Sequence, residues 1–366
     1  MVEVKTLDSW KELEKKLPSE YFAAKIDRSR KLRPELCLIV LREVVDPVLA
    51  RSSDPERAEL FVTKINTKDN EGKDSWHEII RARVNGEKFV SAERLTGLRM
   101  CRILNQKQDN DNNWDIISSS YSYNEIFGGL QAAINPDTVT YGAVGTEDET
   151  FAIKSRVIEG YTYTLEPYNL LNKEQHNAMY ETGTMMKVGA ENANEEERGR
   201  GLYTHVNIEP PAKMIHFVRI DAPTKEMLLY VLHNILNTTT YFARSTRKGL
   251  IRNRVLGIIF SKTAIGLSSG ELIKEHFSSK IQSEYTGEEV LNAVKIYVNN
   301  HKNIFWKIMW DEKEDEFKNL MSPVIDVALL TNENDKKVLK ECLVELTKQG
   351  KSAYVPPIEQ NRSGGS

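Results

Sequence analysis

Leu36-Cys37-Leu38-Ile39-Val40-Leu41 is an unbroken apolar run. A run this short, rich in branched residues, fits a strand over 36–44 that is covered on both faces. Further along, Leu228, Val231, Leu232, Ile235 and Leu236 recur at helical spacing and predict a helix over about 223–237. Thr224 or Asp221 can cap it, and Pro223 suits its first turn. Apolar strand patterns flank this helix at 213–220 and 254–260. Alternation in Tyr161-Thr162-Tyr163-Thr164-Leu165-Glu166 adds strand character to about 151–166, and Glu59 to Asn66 reads as another strand.

Helical patterns are also predicted at about 7–17, 91–105, 287–302 and 335–348. In 91–105, Leu95, Leu98, Cys101 and Leu104 form the apolar stripe, with Ser91 as the cap. Between the patterned segments lie polar breaks: the turn at 51–55, 69–74, the Asp/Asn/Gln-rich 106–114, and the acidic 311–315. Residues 173–212 hold few apolar anchors and include the run Glu191 to Glu197, so a projecting, mobile segment is expected there.

The order strand (36–44), helix (91–105), strands (151–166 and 213–220), helix (223–237), strand (254–260) is βαββαβ. That is the ferredoxin-like or RRM-like plan, an α+β fold, here with large insertions. The expected organisation is a palm over 18–262 with inserted lobes at about 67–150 and a β-hairpin thumb at about 180–212. A mainly helical C-terminal lobe (263–350) and a flexible tail (351–366) complete it. The 254–260 strand would lie at a sheet edge with almost no polar face. It therefore needs elements packed against it, with 320–346 the candidate.

Charge changes the picture locally rather than globally. With 50 Lys+Arg against 53 Asp+Glu, the net charge is -3 over 366 residues, which disfavours a non-specific nucleic-acid coater. Yet the stretch from Tyr241 to Arg254 holds Arg244, Arg247, Lys248, Arg252 and Arg254 and no acid. Cations beside Thr246, Gly249 and the aromatic Tyr241 suit an RNA backbone: the cations neutralise phosphates, hydroxyls bond phosphate oxygens, and an aromatic face stacks a base. A solvated charged loop is the plainer alternative. Arg28 and Arg30 belong to a second basic cluster, Arg51 and Ser52 to a polar turn, and Arg94 and Arg99 to the wet side of a helix. All are candidate RNA contacts.

Catalytic patterns are missing from the sequence. The seven histidines fall in no recognisable arrangement, and His216 and His233 read as core residues. Walker A, HExxH and GxSxG motifs do not occur. Cys37, Cys101 and Cys342 are far apart without CxxC spacing, which offers no zinc ligand set and suits a reducing cytoplasm. No catalytic residue, metal or cofactor is expected, nor a membrane span or signal segment.

Several motifs then fall together. They are Lys154-Ser155-Arg156, Tyr180-Glu181-Thr182-Gly183-Thr184-Met185, Asp221-Ala222-Pro223-Thr224 and Leu229 to Thr238. Thr246-Arg247-Lys248-Gly249 with Asn253, and Gly257-Ile258-Ile259-Phe260, complete the set. On these residues the chain resembles the backbone subunit of the type I-D CRISPR interference complex, a Cas-seven-type (Csc-two) protein of the RAMP superfamily. Pro136-Asp137 with Tyr141-Gly142 match more weakly, and Thr138 stands where the family often has cysteine. The resemblance implies a non-catalytic subunit that binds guide RNA (crRNA) and polymerises head-to-tail along it. It implies phosphate contacts from Lys154, Ser155 and Arg156. Met185-Met186, odd as core residues within a polar segment, suit an apolar wedge between bases or packing against a neighbouring subunit. Implied partners are the guide RNA, target DNA or RNA through base pairing, further copies of the chain, and Cas-five-type and Cas-ten-type subunits. The alternative is a RAMP-type endoribonuclease that processes or cleaves RNA.

Overall fold

The computed structural model describes residues 9–28, 34–51, 58–68, 74–105, 115–119, 121–123, 129–146, 150–168, 172–178, 202–242, 249–278, 281–304, 306–310 and 315–355. Along the first half run α1 (Trp10–Lys16), β1 (Glu35–Val44), β2 (Glu59–Lys68), β3 (Asp74–Val84), α2 (Glu87–Leu104), α3 (Gly129–Ala133) and α4 (Pro136–Tyr141). The short strands β4 (Ala143–Gly145), β5 (Phe151–Ile153), β6 (Val157–Glu159) and β7 (Thr162–Tyr163) follow, then the ribbon β8 (Asn172–Ala178) and β9 (Leu202–Ile208). Next come β10 (Lys213–Asp221), α5 (Lys225–Asn237), β11 (Thr240–Tyr241) and β12 (Gly249–Ser261). The chain continues as α6 (Ser269–His276), α7 (Gly287–Asn300), β13 (Trp306–Met309), α8 (Asp315–Leu329) and α9 (Glu333–Tyr354).

The fold mixes α and β, and its sheets are antiparallel. In the central sheet the order is β11-β12-β1-β10-β6, with β13 also paired to β12. β1 lies in the middle, bonded to β10 on one side and β12 on the other. Its apolar run is buried on both faces, as the sequence requires. Leu36, Leu38 and Val40 face one core with α2, α5, α8 and α9, while Cys37, Ile39 and Leu41 face a second core with α6 and α7. α5 is the central helix of the first core. Thr224 caps it by accepting from the Met227 N–H, and Met227 to Leu232 are fully buried. α2 crosses it closely at Gly97, where a Cβ would collide with the side chains of Tyr230 and Asn234.

β12 is covered as its apolar composition demands. A bulge at Leu256 shifts its register against Ile39 and Val40, and its residues on either side enter both cores. Its outer edge is taken by β11 at Gly249 and Leu250 and by β13 at Gly257 to Phe260. Helices α8 and α9 supply cover on the first-core face, which extends the expected 320–346 in both directions.

Four differences from the sequence reading have physical causes. The helix expected at 91–105 begins at Glu87, so Ser91 is internal and bonds back to the Glu87 carbonyl rather than capping. Leu95 lies on its exposed side. Arg252 and Arg254, read as loop, lie within β12, which begins at Gly249. The β8–β9 ribbon starts at Asn172, earlier than the expected thumb span of about 180–212, and pairs Asn172 with Ile208 through Ala178 with Leu202. Residues 179–201 lie outside the described residues.

Candidate nucleic-acid interface

Strand alternation divides the far end of β1 and β12 into two unlike halves. Arg42 continues the Leu36-Leu38-Val40 side and points inward, opposite Asn253 in the ladder. Glu43, opposite Arg252, points to the other side. Residues that are neighbours in sequence therefore do different physical work.

The inward half is a buried polar hub. Arg42 is wholly buried, and its Nη1 donates to Glu93 Oε1 at 2.7 Å, Tyr241 Oη at 3.2 Å and Asn253 Oδ1 at 3.2 Å. Its Nε donates to His216 Nδ1 at 3.0 Å, and the guanidinium lies 4.1 Å from the Phe89 ring centroid. Tyr241 donates its hydroxyl to Glu93 at 3.0 Å and accepts from Asn253 Nδ2 at 2.7 Å. Asn253 Nδ2 also reaches the Ile235 and Thr238 carbonyls at 2.7 and 2.9 Å, tying β12 to the end of α5.

Burial pulls the Arg42 pKa down, but Glu93, Tyr241 and Glu159 more than offset that and hold it charged. His216 is pushed far below the usual imidazole range by burial and by Arg42, so it is neutral. Nδ1 then accepts from Arg42, and Nε2–H donates to the Gly160 carbonyl at 3.2 Å. The 3.6 Å approach of His216 to Glu159 is therefore not an ion pair. Glu159 is pushed well above the ordinary carboxylate range by burial and by the nearby Glu93. Arg42 thus faces Glu93 at close range, and the burial of a second carboxyl, Glu159, beside them favours its protonated form.

The hub holds both arms of the β11–β12 hairpin, at Tyr241 and at Asn253. Phe242, at φ 64, packs its ring on Phe89 at 5.2 Å. At the other arm Gly249 lies so close to Val48 and the Pro47 carbonyl that any side chain would collide. Outward from this anchored frame, Arg252 and Arg254 are each 56% exposed and rest 3.6 and 3.8 Å from Glu43 Oε2. Contacts this open and loose leave both guanidinium groups accessible to an anion from solvent.

The remaining sequence candidates divide by burial. Arg28, Arg99 and Lys154 are exposed, while Arg51 and Ser155 are partly buried, Ser155 donating to the Val157 carbonyl at 2.8 Å. Three expectations are corrected by burial. Tyr241 is inside the hub, so its ring offers no stacking face. Arg156 is fully buried and donates to the Ala222 and Asp27 carbonyls, bracing the turn where Ala222 takes φ 49. Arg94 forks onto Asp137, with Nη2 to Oδ2 at 2.6 Å and Nε to Oδ1 at 3.0 Å, beside the Tyr123 ring. Each of the three is occupied in holding the fold. Arg30, Ser52, Met185, Arg244, Thr246, Arg247 and Lys248 lie outside the described residues.

Sequence reasoning missed Arg42, Glu93, Glu159 and the pairing role of His216. A charge at the inward-facing position near the end of a doubly buried strand was the available signal for Arg42. His216 and His233 are core residues as read, His233 bonding the Ala328 carbonyl at 2.8 Å. Thr138, at the family's cysteine position, is buried in the N-terminal cap of α4 with Asn135. Among the described residues no cluster of three or more His, Cys, Asp or Glu is placed to hold a metal ion, and no helix is long and apolar enough to cross a membrane.

Comparison with known proteins follows the same lines. The crystal structure of Csc2 from Thermofilum pendens superposes with a TM-score of 0.55 at 15% identity, covering 94% of this chain and 96% of that one. At this identity the likeness is one of fold. A chain of a CRISPR RNA-guided surveillance complex in a pre-nicking state (TM-score 0.43, 9% identity, 77% of this chain and 93% of that one) matches more weakly. So does a chain of a type IV-B CRISPR complex (TM-score 0.36, 14% identity, 63% and 92%), and neither superposition carries an argument. No curated protein sequence matches. The sequence model of the family described as Csc2 Crispr, however, matches residues 64–341, about three quarters of the chain, and this protein therefore belongs to the Csc2 CRISPR family.

Proposed function

We propose that the protein is a non-catalytic backbone subunit of a type I-D CRISPR interference complex that binds guide RNA and polymerises along it. The observation that carries this reading is the acid-free basic stretch from Tyr241 to Arg254, anchored on the buried Arg42 hub in a chain of the Csc2 family. A rigid frame presenting cations binds a phosphate backbone without reading its sequence, and base pairing by the guide then supplies specificity. The strand order β12-β1-β10-β6 is that of a ferredoxin-like sheet, and on this reading the sheet is the palm. On this reading the β8–β9 ribbon is the base of the thumb. Arg244, Thr246, Arg247 and Lys248 would contact RNA phosphates with Arg252, while Arg28, Arg99 and Lys154 add cations elsewhere on the surface. Copies associate head-to-tail in an open, heterologous manner, which gives a helical filament rather than a ring. Cas-five-type and Cas-ten-type subunits and a paired target strand complete the assembly, in the cytoplasm.

Nucleic acid co-purifying with the protein from cells that express the whole complex tests this reading. Mass spectrometry should show discrete guide-length RNA, intact, with bound protein copies rising with RNA length. RNA shortened by the purified protein would replace the reading with the endoribonuclease one, and absence of RNA would remove both.

A further inference from the structure

Glu43 sits on the middle strand of the central sheet with cations on both sides. In the ladders it lies opposite Lys213 of β10 and opposite Arg252 of β12. Directly paired residues share a face of the sheet, and Arg254, two positions on from Arg252, shares it too.

The three cations are not used alike. Lys213 is buried and turned away, its Nζ donating to the Pro211 carbonyl at 3.2 Å and to Glu284 Oε1 at 3.4 Å. Arg252 and Arg254 instead converge on one oxygen, Glu43 Oε2, at 3.6 and 3.8 Å. Neither approach is short enough for a hydrogen bond. Both arginine side chains are 56% exposed, whereas that of Glu43 is only 25% exposed. Glu288 is a second acid near Arg254, across the groove that both line.

The least exposed member of the Glu43, Arg252 and Arg254 trio is thus the anion. Among the described residues its carboxylate pairs with no cation besides these two. A phosphate that takes both guanidinium groups leaves Glu43 partly buried, without countercharge, and beside a second negative charge. That cost is subtracted from binding. Glu43 also holds the arginines ready, which favours binding, but contacts this long and open order side chains little.

We propose that Glu43 is a built-in competitor at the Arg252–Arg254 face. Its carboxylate stands in the place of a phosphate, and a bound polyanion must displace it. The inference rests on the RNA-binding reading above and adds a residue that tempers the affinity of that face.

Affinity of the full chain for a labelled single-stranded RNA, measured across a range of salt, is the test. Glu43→Gln keeps the shape of the side chain and removes its charge. It should bind about threefold tighter at low salt, the weight of an exposed ion pair. The gain should shrink as salt rises and screens the charge. With Arg252→Ala and Arg254→Ala already in place, Glu43→Gln should change affinity by less than about 1.5-fold, because the carboxylate then has no guanidinium to hold. A urea transition coincident with the wild type's shows that the fold is kept. If Glu43→Gln does not fold, Glu43→Asp decides: it draws the charge back by one methylene and should also bind more tightly than the wild type, by a smaller factor. Affinity equal to or below the wild type's overturns the competitor while RNA binding stands. So does a gain that survives the loss of both arginines, since bulk charge alone would then explain it. A wild-type protein that binds no RNA overturns the proposed function and this role with it.

Discussion

Arg42 and Arg252 sit one ladder step apart on paired strands, and their environments could hardly differ more. Arg42 is wholly buried and bonded to groups on four other elements, whereas Arg252 is 56% exposed with Glu43 at 3.6 Å. The inner charge is costly to strip of its partners, because each would be left desolvated and unpaired. The outer charge is worth little to stability, because water screens it, and for that reason it remains available to a ligand. Alternate residues of one strand can thus be divided between holding a frame and using it.

The largest effect expected from this comparison is on the inner side. Arg42→Met leaves Glu93 buried without its cation and should cost about 3–5 kcal/mol in urea unfolding. A cost below about 1 kcal/mol would break the comparison, since Arg42 would then behave like a surface charge. Tyr241→Phe comes next. It keeps the ring against Phe89 but removes a hydroxyl that serves Glu93, Arg42 and Asn253, and should cost about 1–3 kcal/mol.

A titration sharpens the inner half further. Burial and Glu93 hold the Glu159 proton on well above the 4.5 at which the unfolded carboxyl loses it. From pH 4.5 upward to its folded pKa, the folded state therefore binds a proton that the unfolded chain has released. Glu159 thus contributes its full stabilisation below 4.5 and loses it as pH rises through that window. Glu159→Gln cannot ionise, so its stability should fall less steeply with pH there, by at most about 1.4 kcal/mol per unit. Equal slopes for variant and wild type would mean that Glu159 is ionised in the folded protein.

The smallest stability effect belongs to the outer half. Arg252→Ala with Arg254→Ala should shift unfolding by no more than about 0.5 kcal/mol. The same pair should lower the slope of log affinity for RNA against log salt by about 0.7 per lost phosphate contact. An unchanged slope would remove these two arginines from the RNA face and leave the hub as structure alone.

Much of the frame was legible from local pattern. The apolar run at 36–41 required a doubly covered strand, the spacing at 228–236 required a helix, and Thr224 was readable as its cap. β3 was not legible, because its buried Arg81 breaks the apolar alternation. Arg81 is satisfied by the Leu165 and Phe277 carbonyls and the Thr63 hydroxyl, far along the chain. β13 is four residues long and owes its place to pairing with β12, so sequence around 306–309 gives little sign of it. The candidate site was half legible. Its surplus of cations shows in composition, but which of them face water does not.

By itself the sequence determined the order of the main elements, the doubly buried strand, the family motifs and the location of the basic stretch. Each of these depends on residues near one another in the chain. Only the tertiary structure decided which polar side chains are inside. Arg42 meets Glu93, His216, Tyr241 and Asn253 across separations of 51, 174, 199 and 211 residues. Whether a charge is a brace or a binding group depends on partners and burial, and those exist only once distant strands have paired and set the direction in which each side chain points.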